Sequence, residues 1–108
     1  MAGWENKTAE GSSMDFRLLK KEFTDEAGVE TRYIMQLKSG VEVTLSNFGA
    51  TVVSVMHPDN NGNIDDVVLG YDTRKEYDHP DNPYFGATCG RISNRITKGQ
   101  FKIGDEAF

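Results

Sequence analysis

The chain carries a single cysteine, Cys89, so it contains no internal disulfide, as is usual for proteins of a reducing compartment. No apolar run approaches the roughly 20 residues that a membrane-spanning helix needs. The first residues, MAGWENKTAEGSSM, lack the apolar stretch of a secretory signal. These readings predict a cytoplasmic protein without membrane attachment, in which the Asn6-Lys7-Thr8 glycosylation sequon goes unused. Basic residues are few and scattered, and the net charge is −5. A nucleic-acid binder concentrates Lys and Arg on one surface, so no nucleic-acid partner is expected. Helical periodicity is also scarce, and no segment reads clearly as a helix.

What is present is strand-like alternation between turn signals. The 108 residues make one domain at most. Residues 1–14 read as a flexible polar tail, and 15–108 as the folded part. FRLLKKEF reads as a first strand, with helix as an alternative, and TDEAG as a turn. In VETRYIMQL, Val29, Thr31, Tyr33, Met35 and Leu37 share one face, with Glu30, Arg32 and Gln36 opposite. Lys38-Ser39-Gly40 links that run to VEVTLSNFG, which predicts a hairpin. ATVVSVMH is mostly apolar and predicts a strand buried on both faces. Gly49, between these last two, predicts a bend or bulge. PDNNGN is a loop, DDVVLGY a short buried strand, and DTRKEYDHPDNP a long polar loop. QFKIGDEAF again signals a hairpin. The pattern predicts an all-β, antiparallel β-sandwich or barrel. A strand opening at the last residues suggests a fragment, or a truncated product, of a longer β protein.

HPDNNGNIDD groups His57, Asp59, Asn61, Asp65 and Asp66, which resembles a calcium loop. Counting from Asp59, however, Gly62 falls at the fourth position and no glutamate closes the loop. A polar hairpin loop is the better reading, and no metal is expected. His57 and His79 each precede a proline, and no nucleophile or second carboxylate is placed beside either, which favours surface loops. Cys89, in a run of small residues, reads as a buried thiol acting as a small hydrophobe.

GRISNRITKG is the most informative stretch. Strand spacing puts Arg91, Ser93 and Arg95 on one face. Helical spacing pairs Arg91 with Arg95. Neither is clean, so an irregular strand-turn segment is expected. Two readings stay open from the residues alone: solvated surface arginines, or a polar cluster on the floor of a cleft. Arg supplies a planar fork of donors and Asn both a donor and an acceptor, a combination that suits vicinal hydroxyls. Pro83-Tyr84-Phe85 adds aromatic surface that could stack on a sugar or join the core.

Tyr84-Phe85-Gly86-Ala87, Gly90-Arg91-Ile92-Ser93-Asn94-Arg95-Ile96 and Lys98-Gly99-Gln100-Phe101 together resemble the N-terminal part of the aldose 1-epimerases, or galactose mutarotases. LSNFGATVVSVMHPDNNGNIDDVVLGYD is similar to that family's early strands. The resemblance spans about residues 29–108. It implies a portion of a large antiparallel β-supersandwich. It implies an isomerase that interconverts α and β anomers of hexoses such as galactose and glucose, with no cofactor. In this family a carboxylate and a histidine open and close the sugar ring by acid–base chemistry. By the resemblance, Asn94 and Arg95 bind substrate hydroxyls, with Arg91 and Phe85 in support. The family's catalytic histidine and glutamate match nothing in this chain and are expected beyond Phe108. The chain alone is therefore expected to be inactive. Competing readings are a non-catalytic carbohydrate-binding module, a hexose-6-phosphate 1-epimerase, and a β-rich interaction domain.

Overall fold

The computed structural model describes residues 16–108. The predicted tail and the Asn6 sequon lie outside the described residues. Five strands form one antiparallel sheet in sequential order: β1 (Phe16–Asp25), β2 (Gly28–Leu37), β3 (Glu42–Ser46), β4 (Val52–Pro58) and β5 (Ile64–Asp66). Two further short strands, β6 (Lys102–Ile103) and β7 (Glu106–Ala107), make a separate hairpin. The fold is all-β and antiparallel, as the alternation predicts.

Turn chemistry sets the register. Asp25 pairs with Gly28 across a two-residue loop, and the Asp25 carboxylate accepts the Ala27 N–H at 2.8 Å. Gly28 takes φ +124°, open to glycine at little cost. The β4–β5 loop closes on Asp59, whose carboxylate accepts the N–H groups of Asn61 and Asn63. Those bonds, that from Asn63 foremost, hold the exposed Asp59 carboxyl below the usual aspartate range. The predicted irregularity near Gly49 appears in two parts. The chain turns through Gly49 and Ala50 at positive φ, and the β3–β4 register slips between Thr44 and Leu45.

The two faces of the sheet differ from expectation. The alternating apolar residues of β2 do share a face, but Val29, Tyr33 and Leu37 on it stay exposed. The opposite face is the covered one. There Glu30 is only 3% exposed and Ile34 is buried. The covering segment is the one read as a plain polar loop. It contains a one-turn helix, α1 (Arg74–Tyr77), opened by a capping box: Thr73 accepts the Glu76 N–H and Glu76 accepts the Thr73 N–H. Two arginines pin this segment to the sheet. Arg32 donates to the Asp72 carbonyl at 2.8 Å, and Arg74 pairs with Asp25 and donates to the Gly28 carbonyl.

Two further expectations are corrected. β5 stops at Asp66, so DDVVLGY is not a buried strand, and Val67 and Leu69 are 65% and 71% exposed. The Asp66 carboxylate accepts the N–H groups of both Val55 and Val68, which ends the ladder with a side chain in place of a strand partner. β4 is half-buried along most of its length, with Val53 its one buried residue.

Candidate functional site

The segment bearing the candidate residues leaves the sheet through an aromatic anchor. Tyr77 is buried, meets Tyr71 edge to face with ring centroids 5.3 Å apart, and accepts the Tyr71 N–H on its hydroxyl at 3.0 Å. Phe85 also packs on Tyr71, with ring centroids 5.5 Å apart. Asn82 ties the two together: its amide donates to the Tyr77 carbonyl and accepts the Phe85 N–H. Phe85 thus joins a structural cluster, which supports the segment leading to Arg91 rather than offering a free ring.

Gly86 is the next fixed point. Its carbonyl accepts the Val52 N–H at 2.8 Å, docking the loop on the start of β4. A Cβ at Gly86 would lie 2.0 Å from the Val52 carbonyl oxygen, and φ is +67°. Only glycine meets both conditions. Thr88 adds a hydrogen bond from its hydroxyl to the Ala50 carbonyl at 2.6 Å.

Beyond Thr88 the chain turns outward, and residues 89–100 are all exposed. Cys89 is among them, so the expectation of a buried thiol is corrected. The local path is irregular, as expected. Asn94 sits at φ +75°, and a 3₁₀ turn spans Thr97–Gly99 with Lys98 at φ +58°. Asparagine is among the best-tolerated non-glycine residues in the left-handed region, so the backbone alone favours it at position 94. Arg91, Asn94 and Arg95 are exposed, and no hydrogen bond or ion pair joins them to other described residues. Their donors are open to a ligand. They lie within five residues of one another on the irregular segment that follows the Phe85–Gly86 anchor.

The other polar feature is internal, and sequence reasoning missed it. Glu30 accepts from Ser46 Oγ at 2.5 Å and from Arg32 Nε at 3.2 Å. The Arg32 guanidinium also lies 5.1 Å from the Phe23 ring centre. A buried carboxylate is tolerated because every partner is supplied. The available signal was the alternate placement of Glu30 and Arg32, which puts both on one strand face. Neither histidine joins a catalytic arrangement: His57 is exposed beside the Pro58 carbonyl, and His79 lies 3.6 Å from Asp81.

The antiparallel β scaffold presents a GRxxNR turn on a glycine-anchored loop, and comparison with known proteins gives the family to which this arrangement belongs. The family model described as aldose 1-epimerase matches residues 31–108. This chain belongs to the aldose 1-epimerase family. It is 39% identical over 74 residues to a galactose mutarotase of Mus musculus, covering 68% of this chain and 21% of that protein. It is 37% identical over 83 residues to a galactose mutarotase of Sus scrofa, covering 76% of this chain and 24% of that protein. It is 47% identical over 62 residues to the bifunctional protein GAL10 of Pachysolen tannophilus, covering 57% of this chain and 8% of that protein. The matched region thus spans under a quarter of each of these relatives. No solved structure matches. Among the described residues, no helix is long and apolar enough to cross a membrane.

Proposed function

We propose that the protein to which this chain belongs is an aldose 1-epimerase acting on free hexoses such as galactose and glucose in the cytoplasm. The observation that carries the reading is the family match over residues 31–108, which includes the whole Gly90–Ile96 motif and the loop that anchors it. In this reading Asn94 and Arg95 hold the sugar. The Arg95 guanidinium donates to one or two adjacent hydroxyls, and the Asn94 amide donates and accepts at a neighbouring one. Arg91 and Phe85 support the turn. Ring opening needs a base to take the anomeric hydroxyl proton and an acid to protonate the ring oxygen. Those two groups come from residues other than His57 and His79, outside this chain. No cofactor takes part in the proton transfers.

The test is polarimetric. Freshly dissolved α-D-galactose is followed to anomeric equilibrium with and without the complete protein. Acceleration proportional to protein concentration is expected. A rate equal to the buffer blank, with the protein folded, would refute the assignment.

A further inference from the structure

A chain of hydrogen bonds runs from the buried Glu30 carboxylate to the residue that stands two places before Gly90. From it we infer that Thr88 is a positioning residue for the reaction, the side chain through which the sheet fixes the approach to the sugar-holding turn. The inference rests on the role just proposed for Asn94 and Arg95.

The chain starts inside the sheet. Glu30 accepts from Ser46 Oγ at 2.5 Å, and the same oxygen accepts the Phe48 N–H at 3.0 Å. The Phe48 carbonyl accepts the Thr51 hydroxyl at 2.6 Å, and the Ser46 N–H donates to the Thr51 carbonyl at 2.8 Å. Asn47 ties this corner to β2: its side chain accepts the Thr31 N–H and its own N–H donates to the Thr31 carbonyl, both at 2.9 Å. Between these bonds Gly49 and Ala50 sit at φ +65° and +52°. A non-glycine residue in the left-handed region persists only where its surroundings fix it. The Ala50 carbonyl is therefore a fixed acceptor, and the Thr88 hydroxyl donates to it at 2.6 Å.

Thr88 is where this support ends. Among the described residues, no hydrogen bond joins residues 89–96 to the five-stranded sheet. Arg91 follows Thr88 by three residues and Gly86 by five. Breaking the Thr88 bond moves the last fixed point back to Gly86 and lengthens the free approach to the turn. A turn with more freedom holds a sugar less well, because that freedom must be given up when the sugar binds. The effect is on holding the hexose rather than on proton transfer, so it falls on KM.

The experiment compares the complete wild-type protein with Thr88→Val and Thr88→Ser. Valine keeps the branched shape without the hydroxyl, and serine keeps the hydroxyl. By polarimetry, Thr88→Val should raise KM for galactose about two- to tenfold, the worth of one neutral hydrogen bond, with kcat near wild type. Thr88→Ser should return KM to the wild-type value. A merely structural role would deplete folded enzyme, lowering kcat and leaving KM unmoved. Amide hydrogen exchange over residues 89–100 adds a readout independent of activity, and it should be faster in Thr88→Val than in the other two proteins. An unchanged KM in Thr88→Val, an equal rise in Thr88→Ser, or unchanged exchange would each overturn the inference while leaving the function standing. A wild-type protein that fails to accelerate mutarotation would refute the function itself, and the inference with it.

Discussion

The segment carrying Asn94 and Arg95 is docked on β4 through a close backbone contact at Gly86, so Gly86→Ala is the sharpest structural perturbation. The new methyl group would lie 2.0 Å from the Val52 carbonyl oxygen and 3.0 Å from its carbon. Both atoms are backbone at the start of a paired strand and have little room to yield. Holding alanine at φ +67° costs about 1–2 kcal/mol. Moving away to relieve the overlap breaks the bond from the Val52 N–H to the Gly86 carbonyl, worth about 1 kcal/mol. The expected loss is about 2–3 kcal/mol, a large share of the roughly 5–15 kcal/mol that holds a domain folded. Gly99→Ala is the internal control. It has nearly the same φ, +63°, but open space around its Cβ position, so it carries only the conformational cost. Urea melts of the complete protein would measure both variants, and mutarotation rates would report whether the turn has moved. If Gly86→Ala were no more destabilising than Gly99→Ala, the docking argument would be wrong.

Other outcomes follow from the polar face and the turn. Glu30→Ala leaves the Arg32 guanidinium, 11% exposed, without its carboxylate, and should cost about 3–5 kcal/mol in a denaturant melt; a cost under about 1 kcal/mol would deny the pair its structural role. The Arg74 guanidinium lowers the Asp25 carboxyl below the ordinary aspartate value of 3.8. A depressed carboxylate adds stability that is complete above its unfolded pKa and is lost as pH falls through the folded one. Asp25→Asn should therefore be less stable than wild type at neutral pH, with the gap closing in acid below that value, and a gap independent of pH would contradict this. Asn94→Gly keeps the left-handed backbone and removes the amide. It should lower kcat/KM about three- to tenfold with little change in the melt, whereas unchanged kinetics would leave Asn94 a purely conformational residue.

The hairpins were legible because their turns are chemically explicit. Gly28, Gly40, Gly62 and Gly104 all adopt positive φ between alternating runs, and the Phe101–Phe108 stack closes the last of them. Burial was less legible. Alternation showed which residues of β2 share a face, but not that the polar face would be covered. That depends on Arg32 and Arg74 reaching residues 40 and 49 positions away, a separation local pattern does not encode. Thr73-x-x-Glu76 was a readable capping box within a segment whose prolines and charges suggested loop. The apolar run Val67–Leu69 signalled a strand, yet the Asp66 side chain took up the neighbouring N–H groups and ended it. The motif at 90–96 was legible as a resemblance. Its geometry was not, since two arginines with no partner among the described residues leave no packing pattern to read.

The central claim is that Arg95 holds the hexose. Polarimetric kcat/KM for galactose, compared between the complete wild-type protein and Arg95→Ala, tests it most directly. Loss of one charge-assisted hydrogen bond, about 1.5–3 kcal/mol, predicts a fall of about 10- to 150-fold. Equal values in two equally folded proteins would contradict the account.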